Sequence, residues 1–393
     1  MRIVLFTSKL TFEENGAPIG GSVIDLHLKA KGLLEQGHTV HVVTAFSNAD
    51  RIPCILPYTV HQRCIRPRGL FGLQCGIYRF LKEFEDEADL FYIDGHMFLY
   101  GGGAYRVFGG RVPVTGFFNI RLNLWGDGSG NALRISLFRR MKRGLRYLIE
   151  RSMGVWLANH LDAFVFNTPQ VQKMYGDFGI GQKRPNVVIP DFIATRELMN
   201  AHGITKSRVE EHQQGAGKIT LFATGRMLPE KGFDLLIRAF SLLQNKDAYR
   251  LVISGGGPDQ ERLLKLVAEM RLERYITFPG WVPKLKVYEF FKEAQIFIFP
   301  KWWIEYGSAV LTEAMAFGLP SIIPGGGALE WLTAGSALTF QNGSAEELAK
   351  QIQSLGEDAK MRCAFAEKAI ARAKELDAQT LTTPLEKVLL SSM

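Results

Sequence analysis

The chain has 393 residues, 47% of them hydrophobic and 22% charged, with a net charge of +8. That length exceeds one ordinary domain and fits two, each able to bury its own core, while the composition excludes a disordered or low-complexity chain. No run of about 18 apolar residues is present, so no transmembrane helix is expected; the apolar run at 3–6 is too short for a secretory leader, and a cytoplasmic protein is expected.

The opening segment reads strand, loop, helix, strand: an apolar run at 2–7, a Gly- and Pro-interrupted loop at 16–21, helical spacing over 23–36 closed by Gly37, and a β-branched run at 39–44. This is a βαβ unit. Further strands are predicted at 90–93, 112–118, 163–167 and 187–190, with a helix over 134–157. Between 192 and 217 the chain is polar and weakly periodic, and the interdomain connection is placed there. The rhythm restarts with strands at 219–224, 250–254, 275–278, 296–300 and 320–323. Helices are predicted between and after them at 231–244, 258–270, 284–294, 308–317 and 345–354. The alternation predicts an α/β architecture of two parallel, doubly wound Rossmann-like sheets in tandem, facing each other across a cleft. The domains are set at 1–195 and 196–375, with a C-terminal helix at 376–393 packing back towards the first domain.

Cys54, Cys64, Cys75 and Cys363 show no metal-ligand spacing, and free thiols are expected. Charge is unevenly spread, with 23 Lys and Arg against 16 Asp and Glu up to Thr195 and 24 against 23 after it. The basic segment 134–151 is amphipathic, with Phe138, Met141, Leu145, Leu148 and Ile149 on one side and arginines on the other. It reads equally as a helix lying on an anionic membrane surface or as a solvent-facing helix packed on its own domain. No nucleic-acid motif accompanies the charge, so nucleic acid is not an expected partner.

Ligands of open α/β sheets bind beyond the carboxyl ends of the strands, and three loops of the second half fall there. After 219–224 come Gly225, Arg226 and Lys231. Glycine admits close backbone approach, and the two cations can converge on a diphosphate; surface charges beside a helix start are the plainer alternative. After 250–254 comes Gly255-Gly256-Gly257-Pro258, a tight turn into a helix without the spacing of a dinucleotide site. After 296–300 come Glu305, Gly307, Ser308 and Glu313. Ser308 is a candidate N-cap, so the amides from Ala309 onward would face an anion. Glu305 and Glu313 flank that position with acceptors for sugar and ribose hydroxyls. Glu313 lies among Val310, Leu311, Ala314 and Met315, where an unpaired carboxylate is costly; a solvated helix carboxylate is the alternative. In the first half, Gly20 and Gly21 follow the first strand, Asp94 and His96 follow 90–93, and Asn119 follows 112–118. Asn119 can donate to a hydroxyl but cannot act as a base, and a lone histidine such as His96 is more often structural.

Glu305-x7-Glu313, continued by Ala314-Met315-Ala316-Phe317-Gly318-Leu319-Pro320 and Gly326-Gly327-Ala328-Leu329-Glu330, resembles the retaining glycosyltransferases of family 4, which have the GT-B fold. The likeness is tightest over 219–345. It implies that Arg226 and Lys231 hold the donor diphosphate, that Glu305 contacts the transferred sugar and that Glu313 bonds the nucleotide ribose. It places Gly225, Gly255, Gly257, Gly307, Ser308 and Ala309 at the donor, with Gly20 and Gly21 facing its phosphates. Asp94, His96 and Asn119 fall on the acceptor side, with His96 joining Arg226, Lys231 and Glu305 in the catalytic set. Glu305-Tyr306-Gly307-Ser308 departs from the usual Glu-x-Phe-Gly, and Asp191-Phe192 stands for the usual Asn-Gly, so the donor sugar is not implied. The expected reaction moves a sugar from a UDP- or GDP-sugar to a hydroxyl of a glycan or lipid-linked saccharide, in surface polysaccharide or glycolipid synthesis. It would run at the inner face of a membrane, with no cofactor and no metal. A sugar-nucleotide epimerase and a non-catalytic scaffold are the alternatives, and the presence of Arg226, Lys231, Glu305 and Glu313 argues for an enzyme.

Overall fold

The computed structural model describes the chain except for residues 13–17, 48–51, 53–55, 66–68, 120–143, 146, 216 and 301–306. Two compact units result, Met1–Phe192 with Leu381–Met393, and Ile193–Thr380.

The first unit is built on β1 (Arg2–Thr7), β2 (Thr39–Thr44), β3 (Phe46–Ser47), β4 (Thr59–Cys64), β5 (Leu90–Asp94), β6 (Val114–Phe118), β7 (Ala163–Phe166) and β8 (Asn186–Val188). These form one sheet in the order β3-β4-β2-β1-β5-β6-β7-β8. Pairing is parallel throughout, apart from the antiparallel β3 on β4. Ile3, Val4, Leu5 and Phe6 of the central β1 are all buried, as a parallel strand covered on both faces requires. The helix Gly21–Glu35 turns Leu26, Ala30 and Leu33 inward. It also buries an i,i+4 ion pair, Lys29 Nζ to Asp25 Oδ2 at 2.6 Å. The ammonium lies 3.3 Å from the centre of the Phe117 ring, and Asp25 accepts the Phe192 amide at 2.7 Å. A buried pair so partnered replaces the lost hydration of both ions.

The second unit has β9 (Ile219–Thr224), β10 (Tyr249–Ser254), β11 (Ile276–Gly280), β12 (Ile296–Ile298), β13 (Ser321–Pro324) and β14 (Ala337–Phe340). They are all parallel, in the order β11-β10-β9-β12-β13-β14. β9 alternates as its pleat demands: Leu221 and Ala223 enter one core and Phe222 the other. The helices Phe233–Ser241 and Ala345–Glu357 cover the first face, and Ala309–Ala316 and Ala359–Glu375 the second.

The structure refines three readings. The polar, weakly periodic stretch after 192 carries the helices Thr195–Ala201 and Lys206–Gln214. The second is capped by Thr205, whose Oγ1 accepts the Arg208 amide, and buries just Val209 and Gln213, which is why no apolar period marks it. The strand predicted at 187–190 is the short Asn186–Val188. The helix predicted over 134–157 falls largely outside the described residues; its described end is a π-helical turn, Glu150–Gly154, running into Val155–Ala158. Cys64, Cys75 and Cys363 are free thiols, and Cys54 lies outside the described residues.

Candidate functional site

In the second unit the strand order reverses between β9 and β12, the position where an open parallel sheet leaves a crevice at its carboxyl edge. The loop after β9 and the loop after β10 are joined there edge to edge. Gly225 donates to Ser254 O at 3.1 Å, Met227 to Gly256 O at 2.9 Å, and Asp259 to Met227 O at 3.1 Å. The contact is possible because two glycines lack a side chain. A Cβ on Gly255 would stand 1.9 Å from Gly225 O, and one on Gly257 2.3 Å from Met227 O. Both also have positive φ, 134° and 157°, a region L side chains rarely adopt. Gly255→Ala is therefore expected to cost about 3 kcal/mol or more, read by chemical denaturation; an unchanged unfolding midpoint would show that the two loops are not locked together.

This clamp sets the position of two cations. Gly225 leads to the exposed Arg226, and a short 3-10 turn, Pro229–Lys231, presents Lys231 before the left-handed Gly232 opens the next helix. Lys231 Nζ lies 6.0 Å from the centre of the Phe299 ring at the end of β12. Arg226 and Lys231 are thus anchored on a rigid backbone at the switch point.

After β12, residues 301–306 lie outside the described residues, and Glu305 with them. Beyond Gly307, Ser308 is the N-cap of Ala309–Ala316, its Oγ accepting the Leu311 amide at 3.2 Å while its carbonyl accepts that of Thr312. Among the described residues nothing accepts from the amides of the half-buried Ala309 and Val310, the donors with which a helix opens. Glu313 is buried to 2% exposure, which removes the reading of a solvated helix carboxylate. Its partner is Lys284, at the start of Lys284–Glu293, with Nζ 2.5 Å from Oε2. Burial pushes the Glu313 carboxyl up from its ordinary range, and the Lys284 ammonium opposes the shift. Lys284 stacks 5.3 Å from the Tyr288 ring, whose hydroxyl is raised by burial and by Glu313. Sequence reasoning misses Lys284, because one lysine on a charged helix start carries no signal by itself.

In the first unit the switch point falls between β1 and β5. Gly20 (φ 95°) caps the helix Gly21–Glu35 without a side-chain hydrogen bond, and no acidic residue stands in the first turn. Gly20, Gly21 and Ser22 are exposed, so this start too is open to an anion. Asp94 closes β5 and precedes the helix Gly95–Val107; a Cβ on Gly95 would meet the Phe118 ring at 2.5 Å. His96 is the second residue of that helix, and its side chain lies outside the described residues. Asn119 follows β6, half-buried, its carbonyl accepting from Asn167.

A second feature of the first unit is a groove of about 820 Å³ between Gly69–Glu83, Gly95–Val107 and the residues around 145–157. Phe71, Tyr78, Phe108, Leu145, Ile149 and Met153 line it. Phe71 is 81% exposed, Phe108 67% and Leu145 62%. Leu148 and Trp156 are also exposed, so the described part of the amphipathic segment presents apolar side chains at the surface.

Models of two halves of one enzyme family match almost end to end, "Glycosyltransferase Family 4" over residues 19–197 and "Glycosyl transferases group 1" over 205–372. The chain belongs to the group 1, family 4 glycosyltransferases. Among solved members with this GT-B fold it is similar to Anabaena HepE in complex with UDP and glucose (TM-score 0.71, 18% identity, all of both chains). It is likewise similar to WaaG, a glycosyltransferase of lipopolysaccharide biosynthesis (TM-score 0.65, 16% identity, 98% of this chain and 99% of that one). Its similarity to the D-inositol 3-phosphate glycosyltransferase of Corynebacterium aurimucosum is 28% over 187 residues, 45% of this chain and 44% of that protein. For the mannosylfructose-phosphate synthase of Agrobacterium fabrum it is 26% over 172 residues, 41% and 37%. The chain spans less than half the length of these curated relatives. In this glycosyltransferase the matched group 1 segment contains the β9, β10 and β12 loops, and the family 4 segment contains Gly20, Asp94, His96 and Asn119.

Proposed function

We propose that this glycosyltransferase moves a hexose from a UDP- or GDP-sugar to a hydroxyl of a glycan or lipid-linked saccharide, with retention at the anomeric carbon, and that it serves surface polysaccharide or glycolipid synthesis. The observation that carries the reading is the convergence at one switch point of Arg226, Lys231, the free amides ahead of Leu311 and the buried Glu313. Arg226 and Lys231 hold the diphosphate and stabilise the charge that develops on it as the glycosidic bond breaks. The amides of Ala309 and Val310 add fixed dipoles that need no reorganisation. Glu313 accepts from the ribose hydroxyls, Glu305 contacts the transferred sugar, and Asp94, His96 and Asn119 orient the acceptor. The departing phosphate takes the acceptor proton, so transfer proceeds without a metal. That HepE was solved with UDP and with UDP-glucose supports a uridine donor as the first candidate.

The test is a thermal-shift screen against UDP-, GDP- and ADP-sugars, followed by product analysis with an acceptor and assignment of the anomeric configuration by NMR. Stabilisation by one donor, lost in Glu313→Ala and Arg226→Ala, is expected. Conversion of the donor without any acceptor would favour an epimerase, and no response to any donor a scaffold.

The acceptor side of the proposal rests on the groove. Its carbon wall, the exposed Phe71 and Trp156, and the arginines of 134–151 suit the hydrocarbon and headgroups of an anionic leaflet. Sedimentation with vesicles containing an anionic phospholipid is expected to exceed that with phosphatidylcholine alone and to weaken with salt. Phe71→Asp, on a side chain that packs little in its own unit, should reduce binding without changing the melting temperature. Equal sedimentation with both vesicle types would remove the membrane from the proposal.

A further inference from the structure

His41 and His61 stand on the neighbouring parallel strands β2 and β4. His41 lies opposite Thr59, and Val43 opposite His61. A two-residue offset places both side chains on the same face of the sheet. Their rings lie nearly parallel, 10° apart with centroids at 5.3 Å, and His41 Nδ1 is 3.0 Å from His61 Nε2. Phe84, itself buried, packs its ring edge-on against His61 at 5.2 Å and so fixes that ring. The turn before β5 brings in Glu87, and one carboxylate oxygen with the two ring nitrogens lies within a mutual 4.8 Å. Both histidines are half-buried and Glu87 is exposed.

We infer that His41, His61 and Glu87 form a binding site for a borderline divalent cation of the Zn²⁺ class. Two imidazole nitrogens and one carboxylate are a ligand set such an ion accepts, with solvent filling the fourth position. A tetrahedral ion about 2.0–2.1 Å from each nitrogen needs them about 3.3 Å apart, so the observed 3.0 Å pair would open by a few tenths of an ångström. The rings would also turn, because the two nitrogens now face each other along a hydrogen bond and both lone pairs must converge on the ion. The site belongs to the amino-terminal part of the sheet, because His41 pairs with Val4 and Glu87 precedes the Leu90 that pairs with Ile3. Gly20, Asp94 and Asn119 follow the carboxyl ends, so the site lies apart from the residues proposed for sugar transfer. It ties the β2–β4 edge to the turn ahead of β5. No short motif announces it, since the two histidines are separated by 20 residues and a strand crossover.

The experiment uses the untagged full chain, dialysed against a chelator and then titrated calorimetrically with Zn²⁺. One ion per chain is expected, with affinity lowered at least about tenfold in His41→Gln and His61→Gln and less in Glu87→Gln. Bound Co²⁺ should give the intense visible absorption of a tetrahedral site in the wild type alone. Added Zn²⁺ should raise the melting temperature of the wild type and not of His61→Gln. The exposed Glu87 keeps the test decisive if a histidine variant folds poorly. No stoichiometric uptake by the wild type, or the same uptake in all three variants, overturns the site.

Discussion

Alanine at Arg226 or Lys231 is expected to lower turnover about 10²–10³-fold while leaving the fold intact. Both residues leave a loop whose backbone is locked to its neighbour by Gly225, Met227 and Asp259, so their placement is settled before any ligand arrives. Arg226 is exposed and has no carboxylate partner among the described residues. The side chains themselves are not part of either core, and surface truncations of this kind change stability by about 0.5 kcal/mol or less. The effect should therefore fall on kcat more than on KM, because a diphosphate gains charge as the sugar departs and the cations matter most in the transition state. The two losses should not add, since both cations are proposed to act on one leaving group. Lys231→Arg should recover part of the rate, and Arg226→Lys less, because a point charge cannot replace a planar fork. Steady-state rates with the donor identified by the thermal-shift screen decide the matter. Turnover within about threefold of the wild type in both alanine variants would sink the assignment of these residues to the diphosphate.

How far the sequence discloses this molecule depends on where apolar periodicity and glycine point the same way. The central strands β1 and β12 carry apolar runs and the loops after β9 and β10 carry glycine where backbone comes closest, so this edge of the second sheet is legible. The helix Gly95–Val107 is not, because Gly101, Gly102 and Gly103 read as breakers. The structure supplies their reason: a Cβ on Gly103 would lie 1.9 Å from Leu157 O, and one on Gly101 2.7 Å from Ile77. Gly101 and Gly103 let neighbouring helices approach where any side chain would force them apart, and Gly102 does the same towards the sheet, where a Cβ would lie 2.7 Å from Ile93. The same limit hides the helices Thr195–Ala201 and Lys206–Gln214, which bury few apolar residues. It also hides the buried Lys29–Asp25 pair, whose two charges look solvated in sequence. Glu313 is readable as a buried carboxylate from its apolar neighbours, but its partner is not. Lys284 comes from a different helix, 29 residues earlier, and contact across that distance is set by packing.

The pair formed by those two residues gives the second large effect. Glu313 is fully enclosed, whereas the Lys284 side chain is 40% exposed, so the two halves of the ion pair are not equivalent. Removing the glutamate leaves an ammonium that can turn to solvent along its stem. Removing the lysine leaves a buried carboxylate with nothing to offset its lost hydration. Lys284→Met is therefore expected to cost about 2 kcal/mol at pH 8, below the value for a fully buried pair because solvent already screens the ammonium. Glu313→Gln should cost less than about 1 kcal/mol. The pH dependence separates this account from simple loss of packing. In the fold the Glu313 carboxyl is already raised by burial, and Lys284 supplies the opposing influence, so Lys284→Met raises it further. A carboxyl raised by folding contributes stability that is fully present below its unfolded value of about 4.3 and is lost as pH rises through the folded value. The deficit of Lys284→Met should thus shrink steadily from pH 8 towards pH 5 in urea denaturation. Nucleotide affinity should behave in the opposite order. Glu313→Gln loses a charged acceptor for the ribose hydroxyls and should weaken binding about 10- to 100-fold. Lys284→Met at pH 8 should weaken it less, and should lose further affinity as the pH falls and Glu313 takes up its proton. A stability deficit in Lys284→Met that does not change with pH would mean that Glu313 is not the charged group Lys284 holds. Unaltered nucleotide binding by Glu313→Gln would remove this carboxylate from the donor site.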